Sequence, residues 1–234
     1  INLVIVAGAL GFMGASLLTV DSSVWRGWSW EETLVRLLPD NWARYESSIQ
    51  ETPIITKTML NAGIYVLGDY VAQVSAGTAP LEFDIKRMIR NGIIGGMLGP
   101  VAHYYYEVGE WILPTDSSMW AKPVKVLVDQ TLYASFWNCS YYLLLGLFRG
   151  DSVDETLEDI KVKFWPLLKA GWRLWPAAHV VTYGIIPTRH RLLWVDLVDL
   201  VWCAILSSFG SGEEAATGLA TEEEEGEEAA EGEQ

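Results

Sequence analysis

Ionisable and amide side chains stand inside stretches of this chain that are otherwise apolar, and they are the residues with chemistry to offer. Asp69 and Gln73 are spaced i, i+4, so any helix that carries them presents both on one face. Asp129 and Gln130 are neighbours within a second apolar run, and Arg173 and His179 fall within a third. An ionisable group at membrane depth is costly and turns toward a partner or toward water. Two roles follow for this set: the side chains line a hydrated path, or they pair with one another and lock a bundle. Arg87 and Arg90, with Lys86, stand one turn ahead of a glycine-rich stretch. Long basic side chains in that position reach for phosphate headgroups. At the mouth of a path they would also act as a gate or attract anionic solutes.

Patterns that signal catalysis are missing. His103, His179 and His190 have no metal-ligand spacing with one another or with Cys139 and Cys203. Neither G-x-S-x-G nor H-E-x-x-H occurs, and no Lys-Ser or Lys-Thr follows the glycines to make a phosphate cradle. The expectation is a protein that is not an enzyme and uses no cofactor or metal. Each cysteine sits in an apolar run, where a thiol behaves as a small hydrophobe, and two isolated cysteines make no disulfide framework.

The elements that must position the polar set are helices of an apolar kind. Half of the 234 residues are hydrophobic and 12 are Trp, a loading that a soluble domain of this size rarely carries. The net charge of -14 belongs mostly to one end: ten acidic residues fall between Glu213 and Glu233, which leaves the body at -4. No nucleic-acid partner is expected. Residues 210–234, built of Glu, Ala, Gly and Thr, read as a solvated, disordered acidic tail, with docking to a basic partner surface as the functional alternative.

Ile1 to Val20 is an uncharged run of bilayer length, with Ala7, Gly11 and Ala15 making a small-residue stripe. It lacks the basic flank of a secretory signal and reads as a retained helix, in a chain whose targeting peptide is expected to lie before Ile1. Asp21 to Asn41, with Trp25, Trp28 and Trp30 among charges, reads as a segment at headgroup level, helical character resuming at Trp42. Further spans are expected over Pro53–Ala76, Gly92–Leu113, Pro123–Phe148, Leu167–Ile186 and Leu192–Phe209. Pro176 should kink the fourth of these. Pro187 to Arg191 should join the last two as a tight hairpin, and Arg149 to Lys163 reads as a solvated amphipathic connector. The fold class is all-α, a transmembrane bundle of about four to six spans, because open strands cannot satisfy their backbone in lipid. Basic residues on both sides leave its orientation open. Gly92 with Gly96, and Gly95 with Gly99, form overlapping G-x-x-x-G spacings that let two helix backbones approach.

Several of these patterns, in order, resemble the Mpv/PMP family, the Mpv17/PMP22-type proteins of peroxisomal and mitochondrial inner membranes. They are Trp42-x-x-Tyr45, then Pro53-x-x-Thr56, Gly68-Asp69-x-x-x-Gln73, and Asp84-x-x-Arg87-x-x-Arg90. Gly99-Pro100-x-x-His103-x-Tyr105 and Asp129-Gln130 follow, and Trp172-x-x-Trp175-Pro176, Pro187, Arg191 and Trp202 complete the signature. The resemblance covers about 42–209 and excludes the N-terminal 1–41 and the tail. This chain has His179 where the family usually has Gln, and Thr182-Tyr183 where it usually has Asn-Phe. It also lacks a Pro that usually follows Asp129-Gln130.

The resemblance implies a multi-pass organelle-membrane protein in contact with membrane lipids. The mitochondrial inner membrane or a plastid membrane is favoured, with the peroxisomal membrane as the other site. It further implies a channel for small solutes or metabolites. The rival expectation is a non-catalytic subunit of a larger respiratory or photosynthetic membrane complex.

Overall fold

The computed structural model describes residues 2–18 and 29–205, and these are helical or linking segments without a strand. The acidic tail, Trp25 and Trp28 of the headgroup-level segment, and the end of the last apolar run lie outside the described residues. Helix α1 spans Asn2–Leu18 and lies along α2, Trp30–Glu51. Asn41 ties the two together by donating to the Leu17 carbonyl at 3.1 Å. The start of α2 follows from a capping box: the Ser29 hydroxyl accepts from the Glu32 N–H, and the Glu32 carboxylate accepts from the Ser29 N–H. Helix therefore begins twelve residues before Trp42, where it was expected to resume.

Pro53 has no N–H to leave unsatisfied and opens α3, Pro53–Ser75, within a residue of its expected bounds. Helix α4 runs Ile85–Ile112 because the Asp84 carboxylate caps it, accepting from the Lys86 and Arg87 N–H groups. Lys86, Arg87 and Arg90 thus belong to the first turns of α4 and do not precede it. The glycines form the seam between α3 and α4. A methyl on Gly92 would lie 2.5 Å from Val66 Cγ2, on Gly95 2.6 Å from the Tyr65 ring, and on Gly99 2.8 Å from Thr58 Cα. Gly96 is looser, with Ala62 Cβ at 3.6 Å. Buried Asn61 crosses the seam and donates to the Gly95 carbonyl at 2.7 Å.

Helix α5, Ala121–Val128, passes through one π-helical turn, Asp129–Tyr133, into α6, Ala134–Arg149. Gly150, at φ 81°, takes the left-handed conformation that closes α6. A second capping box, Ser152 with Glu155, starts α7 at once. Most of the connector expected over Arg149–Lys163 is therefore the first half of helix α7, Val153–Gly171. The single kinked helix expected over Leu167–Ile186 is two helices. Pro176 offers no N–H to the Trp172 carbonyl and its ring crowds that group, so α7 stops at Gly171 and α8 spans Trp175–Gly184. A 3-10 turn, Thr188–His190, leads to the last helix, α9, which covers 191–205 of the described residues.

Among the described residues no helix is long and apolar enough to cross a membrane. Helices α1, α5, α6 and α8 are too short, and the longer α3 and α4 are interrupted by polar groups. Lys57, Asn61, Asp69 and Gln73 are buried on α3, and Asn91 and His103 on α4. The polar side chains face inward. Among the described residues 16 buried side chains are polar or charged against 12 apolar, while Ile55, Met59, Ile93, Leu132, Val180 and Leu197 stand exposed. A water-soluble core has the opposite arrangement.

A polar cavity inside the bundle

The π-helical turn sets the centre of the site. It widens the helix locally and leaves two successive residues, Asp129 and Gln130, both buried. Tyr105 of α4 donates its hydroxyl to Asp129 Oδ1, held in place by stacking on Tyr133 at 3.6 Å between ring centroids. His179 Nδ1 of α8 stands 3.1 Å from Asp129 Oδ2. That pair is close, but its geometry makes no hydrogen bond, and both atoms remain unsatisfied. The Gln130 carbonyl accepts the Trp172 indole N–H at 3.0 Å, which satisfies a backbone group on the π turn.

A second carboxylate is locked. Asp69, 6% exposed, accepts at 2.7 Å from each of three donors: Arg87 Nε, the Asn91 amide and the Gln73 amide. Gln73 in turn accepts from the Asp84 N–H, which ties α3 to the start of α4. Tyr141 of α6 donates to the Asn91 Oδ1 at 2.9 Å. One network therefore joins three helices around a single ion pair.

Between these groups lies a cavity of about 400 Å3. Asp69, Arg87, Asp129, Gln130 and His179 line it, so the structure brings together most of the polar set read from the sequence. Gln73 sits behind the wall and fixes Asp69. Arg173 is exposed at the break between α7 and α8, off the lining, and Arg90 also lies off it. Trp172 and Trp175 form part of the wall, Trp175 stacking on His179 at 5.6 Å. Arg191 belongs elsewhere, in a buried cluster where it and Lys125 both donate to Glu110, at 2.6 and 2.5 Å, and to Thr115. Pro187 starts the turn that delivers Arg191 to this cluster.

Two lining residues escape the sequence reading. Asp196 and Asp199 of α9 face the cavity, and no ion pair reaches either among the described residues. Their signal is D-x-x-D inside the run Leu192–Phe209, where spacing i, i+3 places both on one helical face. Among the described residues no group of three His, Cys, Asp or Glu side chains can hold a metal ion.

Comparison with known proteins places the chain. The family model described as Mpv17 / PMP22 family matches residues 146–207. The mitochondrial inner membrane protein Mpv17 of Drosophila melanogaster is 32% identical over 149 residues, 62% of this chain and 89% of that protein. Peroxisomal membrane protein 2 of Bos taurus is 26% identical, over 72% of this chain and 88% of its own length. Protein SYM1 of Kluyveromyces lactis is 25% identical, over 71% of this chain and 87% of its own length. No solved structure matches.

Proposed function

The chain belongs to the Mpv17/PMP22 family of organelle-membrane proteins, and from that premise we propose that it is a channel-like protein that passes small solutes through the interior of its helix bundle. One observation carries the reading: buried polar and charged side chains reach an aromatic-walled cavity inside the bundle, while large apolar side chains stand on the exterior. Helices whose polar faces turn to a shared interior can sit in lipid although each alone is too polar to span it, because the lipid meets only the outer faces. The bundle is then a membrane domain in which α3 to α6, α8 and α9 cross or enter the bilayer. The stretch 149–163, with its surface ion pairs, lies outside.

In this reading Asp129, Gln130 and His179 face the solute, and Arg87, half-exposed and paired to Asp69, stands at the mouth. Tyr105 and Trp172 hold the π turn in the shape that sets Asp129 in the wall of the path. The experiment is single-channel recording from the purified full chain in planar bilayers. Discrete conductance steps that change in amplitude in Asp129→Asn are the expected result. No current above that of protein-free membranes would refute the reading.

A further inference from the structure

We propose that the cavity takes a small organic cation, held between the Asp196 and Asp199 carboxylates and the aromatic wall. The inference rests on the solute-path reading and names its solute class. The cavity collects four carboxylates, Asp69, Asp129, Asp196 and Asp199, and one arginine, Arg87. Arg87 is spent on Asp69 at 2.7 Å. Asp129 has the Tyr105 hydroxyl on Oδ1, while its Oδ2 faces His179 Nδ1 at 3.1 Å. Asp196 and Asp199 are left with no cation among the described residues. Asp196 is 2% exposed and its Oδ2 has no hydrogen-bond partner among the described residues. A buried carboxylate without a partner is costly to leave so, and a positive charge beside it offsets that cost.

The wall around it selects in the same direction. Trp137 uses its indole N–H on the Tyr65 hydroxyl, Trp172 on the Gln130 carbonyl, and Tyr141 its hydroxyl on Asn91. These three donors are engaged inside the protein. Trp175 and Trp202 stand edge to face at 6.3 Å beside the α9 carboxylates. Aromatic faces together with carboxylates recognise ammonium groups, alkylated ones above all. An anionic solute would meet four carboxylates, and the one arginine of the lining is already paired. A metal ion is disfavoured because the described residues supply no three-donor group. The volume, about 400 Å3, suits an organic ion of modest size.

The test is equilibrium binding of tetraethylammonium chloride to the purified full chain in lipid nanodiscs, followed by Trp fluorescence at constant ionic strength against sodium chloride. Saturable quenching by tetraethylammonium alone is expected, about tenfold or more weaker in Asp196→Asn and in Asp199→Asn. Asp151→Asn, in the link after α6, should bind as the parent does. Thermal unfolding confirms that each variant is folded. Should one asparagine variant not fold, the other and Trp175→Phe, expected to bind several-fold more weakly, carry the test. A response equal to that in sodium chloride, or unchanged affinity in the folded variants, would overturn the proposal. Conductance without saturable binding overturns only the cation assignment. Saturable binding without conductance supports the cation site and refutes the path.

Discussion

Adding a single methyl group to the α3–α4 seam should have opposite consequences at two glycines three residues apart. At Gly99 a new Cβ would lie 2.8 Å from Thr58 Cα, a backbone atom that cannot rotate away. The helices must separate there, and overpacking of a tight contact costs about 1–3 kcal/mol. Separation also stretches the 2.7 Å bond from Asn61 to the Gly95 carbonyl, worth about 1 kcal/mol. Against this stands the gain of about 1 kcal/mol for replacing glycine within a helix. Gly99→Ala should therefore destabilise by about 1–3 kcal/mol. At Gly96 the nearest atom to the new methyl is Ala62 Cβ at 3.6 Å, an ordinary contact, so the propensity gain stands alone. Gly96→Ala should stabilise by a few tenths to about 1 kcal/mol. The two variants should thus differ by about 2 kcal/mol, or about 4–8 °C in midpoint for a chain of this length. Thermal unfolding in mild detergent, followed by circular dichroism, reads the difference. Equal midpoints for the two variants would show that the seam does not form as described.

The buried cluster at the other end of α4 gives a second asymmetry. Glu110→Gln leaves Arg191 and Lys125, 3% and 7% exposed, as two buried cations without their carboxylate, and should cost about 3–5 kcal/mol. Arg191→Met keeps the Lys125–Glu110 pair and should cost clearly less; a reversed order in urea unfolding would contradict the pairing. Trp172→Phe keeps the ring but strands the Gln130 carbonyl, so a loss of about 1–2 kcal/mol and faster amide exchange through 129–133 are expected. Unchanged exchange would remove Trp172 as the clasp of the π turn. Acid should loosen the start of α7: the Ser152 backbone and hydroxyl hold the Glu155 carboxyl below its ordinary range, and Lys163 with Arg149 do the same for Asp159. Groups held low in the folded state contribute stability above their unfolded pKa and lose it as pH falls through the folded one. Amide protection over 153–159 should therefore fall below about pH 4. Protection that is flat to lower pH would sink that account.

Those features that depend on short-range chemistry are legible in the sequence. Pro53 marks the start of α3, the overlapping G-x-x-x-G spacings mark the seam, and the i, i+4 spacing of Asp69 and Gln73 becomes a hydrogen bond of 2.7 Å. Two starts are written just as locally, as Ser29-x-x-Glu32 and Ser152-x-x-Glu155, but each lies in a charged stretch that composition makes look like surface connector. What no local pattern contains is partner choice. Arg87 and Arg173 look alike as cations near apolar runs, yet Arg87 sits in the first turn of α4 paired to Asp69, and Arg173 falls in the break that Pro176 imposes. The π turn is equally hidden, since Asp129–Tyr133 carries no proline or glycine to announce it.

Mean hydropathy conceals the feature that matters most. Averaging along α3 mixes Asp69 and Gln73 with Ile55 and Met59, although the first pair is buried and the second exposed. The cavity resolves that average into two halves of different character. Around Asp69 every acceptor has its donor, and such a satisfied network fixes one arrangement of α3, α4 and α6. Around Asp196 and Asp199 the chain brings two carboxylates to one face of α9, and the described residues supply no cation to either. A bundle that needed these residues only for cohesion would have paired them as it pairs Asp69, because a buried carboxyl group without a partner is costly. Their placement makes sense for a wall completed by positive charge from outside the chain. The half that holds the helices together and the half that meets solute are then different residues, separable by mutation: Asp69→Asn should lower stability, and Asp199→Asn should leave stability unchanged or raised while weakening cation binding.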